Sequence, residues 1–145
     1  MAYVKNILVL ILIAAGVFLL FYFSAPESSV YQEQPLWTIA LESENFSGQR
    51  GNAAIYEEKG KIKIILTLNP AARGQIQPAY IQDGDCNSSP RASARYRLND
   101  VTSGESQTVL ETPAETFKTE LPLSIRIGRS GEEIYTGTLC GTIEK

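Results

Sequence analysis

The run from Ile7 to Phe23 constrains this chain more than any other feature, because its 17 residues carry no charged or amide side chain. Such a run satisfies its backbone in lipid only as a helix. At about 1.5 Å per residue it covers about 26 Å, the short end of what crosses a bilayer core of about 30 Å. Tyr3 before the run and Phe21, Tyr22 and Phe23 at its end stand where an interfacial aromatic belt would lie, and Lys5 is the only charge on the N-terminal flank. Both features place the N-terminus in the cytoplasm. The expected layout is a short cytoplasmic N-terminus (1–6), a transmembrane signal-anchor helix (7–25), a flexible tether (26–35) and an extracytoplasmic domain (36–145). A cleaved signal peptide and a secreted product form the alternative. Its best cut, after Ala25, puts Phe23 at −3 and Pro26 next to the scissile bond, and a peptidase that requires small side chains handles both poorly. The tether, from Ser24 to Pro35, has little to bury and reaches at most about 40 Å.

With 145 residues the chain has room for one domain beside the anchor. Lys and Arg total 13 against 16 Asp and Glu, a net charge of −3. Nucleic acid is therefore not an expected partner, since neutralising phosphates takes a basic face. The chain has no His at all. That removes the commonest metal ligand and the commonest general base, and leaves Ser88, Ser89, Ser103 and Ser106 without the partner a serine nucleophile ordinarily uses.

From Leu36 onward the pattern is of short β-type segments between turn residues. Lys61 to Leu68 begins with strict alternation and stops at Asn69-Pro70. Leu36–Leu41, Ala53–Tyr56, Ala79–Gln82, Ala94–Leu98, Gln107–Leu110, Leu123–Ile127 and Glu133–Ile143 complete eight expected strands, divided by Gly and Pro. No stretch after Phe23 keeps a helical apolar period for three turns. The expected class is all-β: a Greek-key, immunoglobulin-like sandwich or barrel of about eight antiparallel strands behind one transmembrane helix.

Cys86 and Cys140 are the only cysteines, and in an exported domain an even count reads as a disulfide. They lie 54 positions apart. Closing a loop of that length stabilises the fold by about 4 kcal/mol in the chain-entropy model.

Gln77-Pro78-Ala79-Tyr80-Ile81-Gln82-Asp83-Gly84-Asp85-Cys86 resembles the "QPAHIHxGxC" strand and loop of small chordin-like (CHRD) domain proteins, which are similar in fold to copper/zinc superoxide dismutase. Further pieces follow in order. Gly51 to Ile55 is similar to the family's early "G-x-A" strand, and Arg95 to Leu98 with Gly104-Glu105-Ser106 to its "Y-x-L…G-x-S" segment. Ile125 to Ser130 is similar to "INVHxS" and Cys140 to Ile143 to "CGxI", with both cysteines at the family's disulfide positions. The departures carry as much information. Where metal-binding relatives place histidines, this chain has Tyr80, Gln82 and Gly128, and where the dismutase has an Arg three residues before the closing Cys it has Gly137. A protonated phenol, a weak amide oxygen and a bare backbone do not replace imidazoles at copper or zinc. The resemblance thus implies an inherited sandwich without catalytic residues, metal site or cofactor.

Other groups of residues carry weaker signals. Asp83 and Asp85 could turn two carboxylates toward one hard cation such as calcium, although such sites use six or more oxygens. Lys59, Lys61 and Lys63 alternate on an expected strand, where lysines also discourage edge-to-edge association. Asn45-Phe46-Ser47 and Asn87-Ser88-Ser89 match the glycosylation sequon. Trp37 reads as a core or interface anchor. The function these readings lead to is a membrane-anchored, non-catalytic extracytoplasmic module that binds a protein or cell-envelope partner. A calcium-binding module through Asp83 and Asp85 is the alternative, and a dismutase-like metalloenzyme comes third.

Overall fold

The alternation of Lys61-Ile62-Lys63-Ile64-Ile65-Leu66-Thr67-Leu68 becomes a strand whose Ile62, Ile64, Leu66 and Leu68 are buried on one side. A computed structural model describes residues 34–72, 74–88, 94–129 and 137–145. The anchor expected over 7–25 and most of the tether lie outside the described residues. Among those described, no helix is long and apolar enough to cross a membrane.

The domain is all-β. Its described residues form ten strands: β1 (Trp37–Ser43), β2 (Arg50–Glu58), β3 (Lys61–Asn69), β4 (Ile76–Gln77), β5 (Ala79–Asp83), β6 (Ala94–Arg97), β7 (Val101–Thr102), β8 (Glu105–Pro113), β9 (Leu123–Gly128) and β10 (Gly137–Ile143). One short helix, α1 (Ala114–Thr119), lies between β8 and β9. Eight of the strands coincide with the eight expected from sequence. Two-residue β4 and β7 and six-residue α1 were not expected, because elements so short contain no full period to read.

Every strand pairing is antiparallel, in the order β4-β7-β8-β3-β2-β1-β10-β9-β5-β6. The sheet curls, and β1 is its corner. Trp37–Leu41 pair with β2, whereas Glu42 and Ser43 pair with Cys140 and Leu139 of β10. Gly141 permits this corner, since a Cβ there would come within 2.7 Å of the Ala40 carbonyl. Ile39, Ile55, Ile62, Ile64 and Leu66 of one half and Ile81, Ile125, Ile127, Leu139 and Ile143 of the other bury against a single core. Phe117 of α1 enters the same cluster, and Trp37 packs on it with ring centroids 6.1 Å apart while its indole N–H donates to the Glu144 carbonyl. Trp37 is thus an anchor of the core, as expected. The chain enters the sandwich at this end, and β1 carries it to the opposite end.

One expectation needs correction. Lys59 does not sit on the strand with Lys61 and Lys63 but in the β2–β3 turn, at φ +53° beside Gly60 at +77°. Lys61 pairs with Glu111, and Lys63 with Glu58 over the Tyr56 ring. The face is an ion-paired one rather than a run of free cations.

Candidate functional site

On β5, Ala79 and Ile81 face the core, so Tyr80 and Gln82 share the opposite side of the sheet. Across the ladder, Tyr80 stands opposite Arg126 and Gln82 opposite Ser124, with Gly128 two positions further on the same face of β9. The resemblance named Tyr80, Gln82 and Gly128 as the positions where relatives carry histidines, and the register sets these three on one face of the sheet. The face is not solvated, however. Tyr80, Gln82, Ser124 and Arg126 are each at most 4% exposed.

The disulfide and its loop lie over part of this face. Cys86 is bonded to Cys140 of β10, and the Cys86 N–H donates to the Thr142 hydroxyl. Arg126 completes the clamp from below: Nη2 donates to the carbonyls of Cys86 (2.8 Å) and Ser88 (3.2 Å). Its Nη1 donates to both carboxylate oxygens of Glu44, at 2.9 and 3.1 Å. Arg126 Nε and Ser124 Oγ, both buried, have no hydrogen-bond partner among the described residues. Sequence reasoning quoted Arg126 only as part of a motif and gave Glu44 no role. The available signal was an Arg in the apolar stretch Leu123–Ile127, but its partner lies 82 residues away.

The donor set does not fit copper or zinc. Tyr80, Gln82 and Gly128 offer a phenol, an amide and a backbone, and a Cβ at Gly128 would lie 2.9 Å from Pro78 Cγ. The obstacle to a side chain at Gly128 is therefore the Pro78 ring. At Gly137 a Cβ would collide with the Glu44 carboxylate. The space beside Gly137 is thus taken by an acid, and the guanidinium that meets this acid comes from β9.

Asp83 and Asp85 are not brought together. Asp83 pairs with Arg95 at 2.6 Å, and Arg95 also reaches Glu120 at 2.9 Å. Arg95, helped by the Tyr96 hydroxyl, holds the Glu120 carboxyl below its usual range. Asp85 Oδ1 accepts from the Ser88 hydroxyl and from the N–H groups of Asn87 and Ser88, and the Ser88 hydroxyl contributes most to holding its pKa down. Both acids are thus committed to local structure, and no group of three or more Cys, Asp or Glu among the described residues could hold a metal ion.

A feature that the sequence alone did not single out lies at the end of the sheet away from Trp37. Glu44 to Ser47 form a turn closed by Ser47 N–H on the Glu44 carbonyl, with Asn45 at φ +50° and Phe46 at +56°. Two successive positive φ values mark a type I′ turn, whose second central residue is ordinarily Gly. The turns Lys59-Gly60 and Ser103-Gly104 follow that rule. Here the position holds Phe46, and its side chain is fully exposed at 104%. Asn45 Nδ2 donates to the Gly137 carbonyl, Ser47 Oγ to the Thr138 carbonyl, and Gly48 N–H to Ser43 Oγ. The turn is thereby fastened to β10.

The residues on either side of Phe46 in the chain, Asn45 and Ser47, each line a cleft. Glu44, Asn45 and Gly137, with Cys86, Ser88 and Arg126, line one of about 450 Å³. Ser47, Gln49 and Thr138, with Gln75, Gln77 and Arg129, line another of about 270 Å³. In the second, Gln49 and Gln77 form a reciprocal amide pair, 3.0 and 3.3 Å, and Gln77 Nε2 also faces the Gly128 carbonyl and the Thr138 hydroxyl. Ile76, between Gln75 and Gln77, is 59% exposed. Comparison of the chain with protein-family models, curated proteins and solved structures finds no match.

Proposed function

We propose that this chain is a membrane-anchored, non-catalytic, extracytoplasmic module whose Greek-key, immunoglobulin-like sandwich is related to the chordin-like and dismutase folds, and that it docks a protein or cell-envelope partner on the end that carries Phe46. The apolar run Ile7–Phe23 supports the anchor, and the Cys86–Cys140 bond supports an oxidising compartment. The observation that carries the reading is Phe46. An aromatic ring with no intramolecular packing, held where Gly is favoured, is a strained feature with no stabilising role of its own. An exposed aromatic flanked by polar groups is the usual core of a binding hot spot.

A photo-crosslinking phenylalanine analogue placed at position 46 of the full chain in its native membrane tests this. Val109, 44% exposed and near the other end of the sandwich, serves as the control site. A discrete adduct from position 46 that is absent from position 109 is expected. No adduct, or the same pattern from both positions, would refute the docking reading.

A further inference from the structure

The 270 Å³ cleft lined by Ser47, the residue after Phe46, has a composition that narrows what it could take. Its floor is the Gln49–Gln77 amide pair, 8% and 3% exposed. The amide N–H groups of this pair donate to each other's amide oxygens, and to Pro70 O from Gln49 and to Gly128 O and Thr138 Oγ1 from Gln77, which fixes the orientation of both amides. Each amide oxygen accepts one bond within the pair, and an amide oxygen has the capacity to accept a second. Pro70, Ala71 and Ala72 form a low wall of small groups. At the rim Arg129 is exposed and, among the described residues, makes no ion pair or hydrogen bond. Two exposed apolar side chains, Phe46 and Ile76, adjoin lining residues in the chain.

The ligand must therefore be polar across its body, carry one negative charge, and offer an apolar patch to an aromatic ring. At 270 Å³ the cleft lies below the roughly 300–1,000 Å³ of drug-sized pockets, so one ring-sized group fills it. An apolar peptide side chain would meet amides on the floor and make no hydrogen bond to them. A nucleic acid would bring many phosphates to a single guanidinium. A sugar ring meets every condition: its hydroxyls suit oriented amide oxygens, its C–H face suits a phenyl ring, and a carboxylate on the ring suits the planar fork of Arg.

We infer that this cleft binds the carboxylate-bearing sugar residue of an acidic glycan, with Arg129 on the carboxylate, the Gln49–Gln77 pair on ring hydroxyls and Phe46 against the ring face. This rests on the docking reading and names the chemistry of the partner.

The test is a titration of the full chain in detergent micelles, followed by NMR, with trigalacturonate as the acidic probe. Cellotriose serves as the neutral probe and glutarate as a carboxylate without a sugar. Trigalacturonate is expected to bind in the millimolar range, with cellotriose and glutarate each about tenfold weaker. Arg129→Gln is expected to weaken trigalacturonate about tenfold and Phe46→Ala severalfold. Arg50→Gln, which removes another exposed arginine that lines a different cleft, is expected to change nothing. Because Arg129 and Phe46 are exposed, both variants are expected to stay folded. Equal binding of cellotriose, undiminished binding to Arg129→Gln, or no binding up to about 20 mM would overturn the inference. If position 46 still crosslinks in membranes after such a result, the docking reading stands and the glycan does not. If the crosslink is absent as well, both fail.

Discussion

The buried guanidinium of Arg126 makes a demanding test of how the disulfide face is held together. Its side chain is 4% exposed, and its one charge partner among the described residues is Glu44, whose side chain is 26% exposed. Glu44→Ala removes both Nη1 acceptors and leaves a cation facing only the neutral carbonyls of Cys86 and Ser88. Breaking a fully buried pair from one side costs about 3–5 kcal/mol. Because Glu44 lines an open cleft, water can enter and solvate part of the charge, so the expected loss is about 2–3 kcal/mol. For a domain of this size that lowers Tm by about 10 °C. Arg126→Met should cost less, since the charge leaves with the side chain, Glu44 returns to solvent and a thioether fills much of the volume. Urea unfolding of the full chain in micelles, followed by the fluorescence of its single Trp, gives all three stabilities of a double-mutant cycle against wild type. The double variant is expected to be more stable than additivity predicts, by about 2 kcal/mol. If Glu44→Ala lies within about 0.5 kcal/mol of wild type, or the two losses simply add, the ion pair is not what holds this face.

Three further outcomes follow from the geometry. Phe46→Gly relieves the positive φ at the turn and is expected to raise stability by about 1 kcal/mol in thermal unfolding while abolishing the position-specific interaction; a loss of stability would show that the ring packs after all. Replacing Cys86 and Cys140 by Ala removes a cross-link that spans 54 residues and is expected to cost about 4 kcal/mol in urea, although Arg126 still grips the loop. Glu120 has a depressed pKa in the folded state, so its contribution is present above the ordinary value of 4.5 and is lost as pH falls through the lower folded value. Glu120→Gln is therefore expected to flatten the acid limb of the stability profile below that pH and to leave the neutral limb parallel to wild type.

Alternation along Lys61–Leu68 fixed which side of β3 is buried, because successive side chains of a strand point to opposite faces whatever the strand packs against. The same period put Tyr80 with Gln82 and Ser124 with Arg126, and the glycines at 60 and 104 marked two reversals of the chain. The pairing of Cys86 with Cys140 was legible because no other cysteine competes. These properties are local, or have only one possible answer, and composition and period suffice for them.

Whether a polar face meets water is a different kind of property. Alternation alone would leave Ser124 and Arg126 on a solvated face, and it is the loop drawn over by the disulfide, with Glu44 arriving from β1, that buries them. Phe46 likewise reads in sequence as one more apolar residue near a glycine. Only the closed turn and its fastening to Gly137 and Thr138 show that the ring has nowhere inside to go. In both cases the deciding contacts join residues about 40 to 90 positions apart, at separations where a strand period carries no information and the curl of the sheet decides which segments meet.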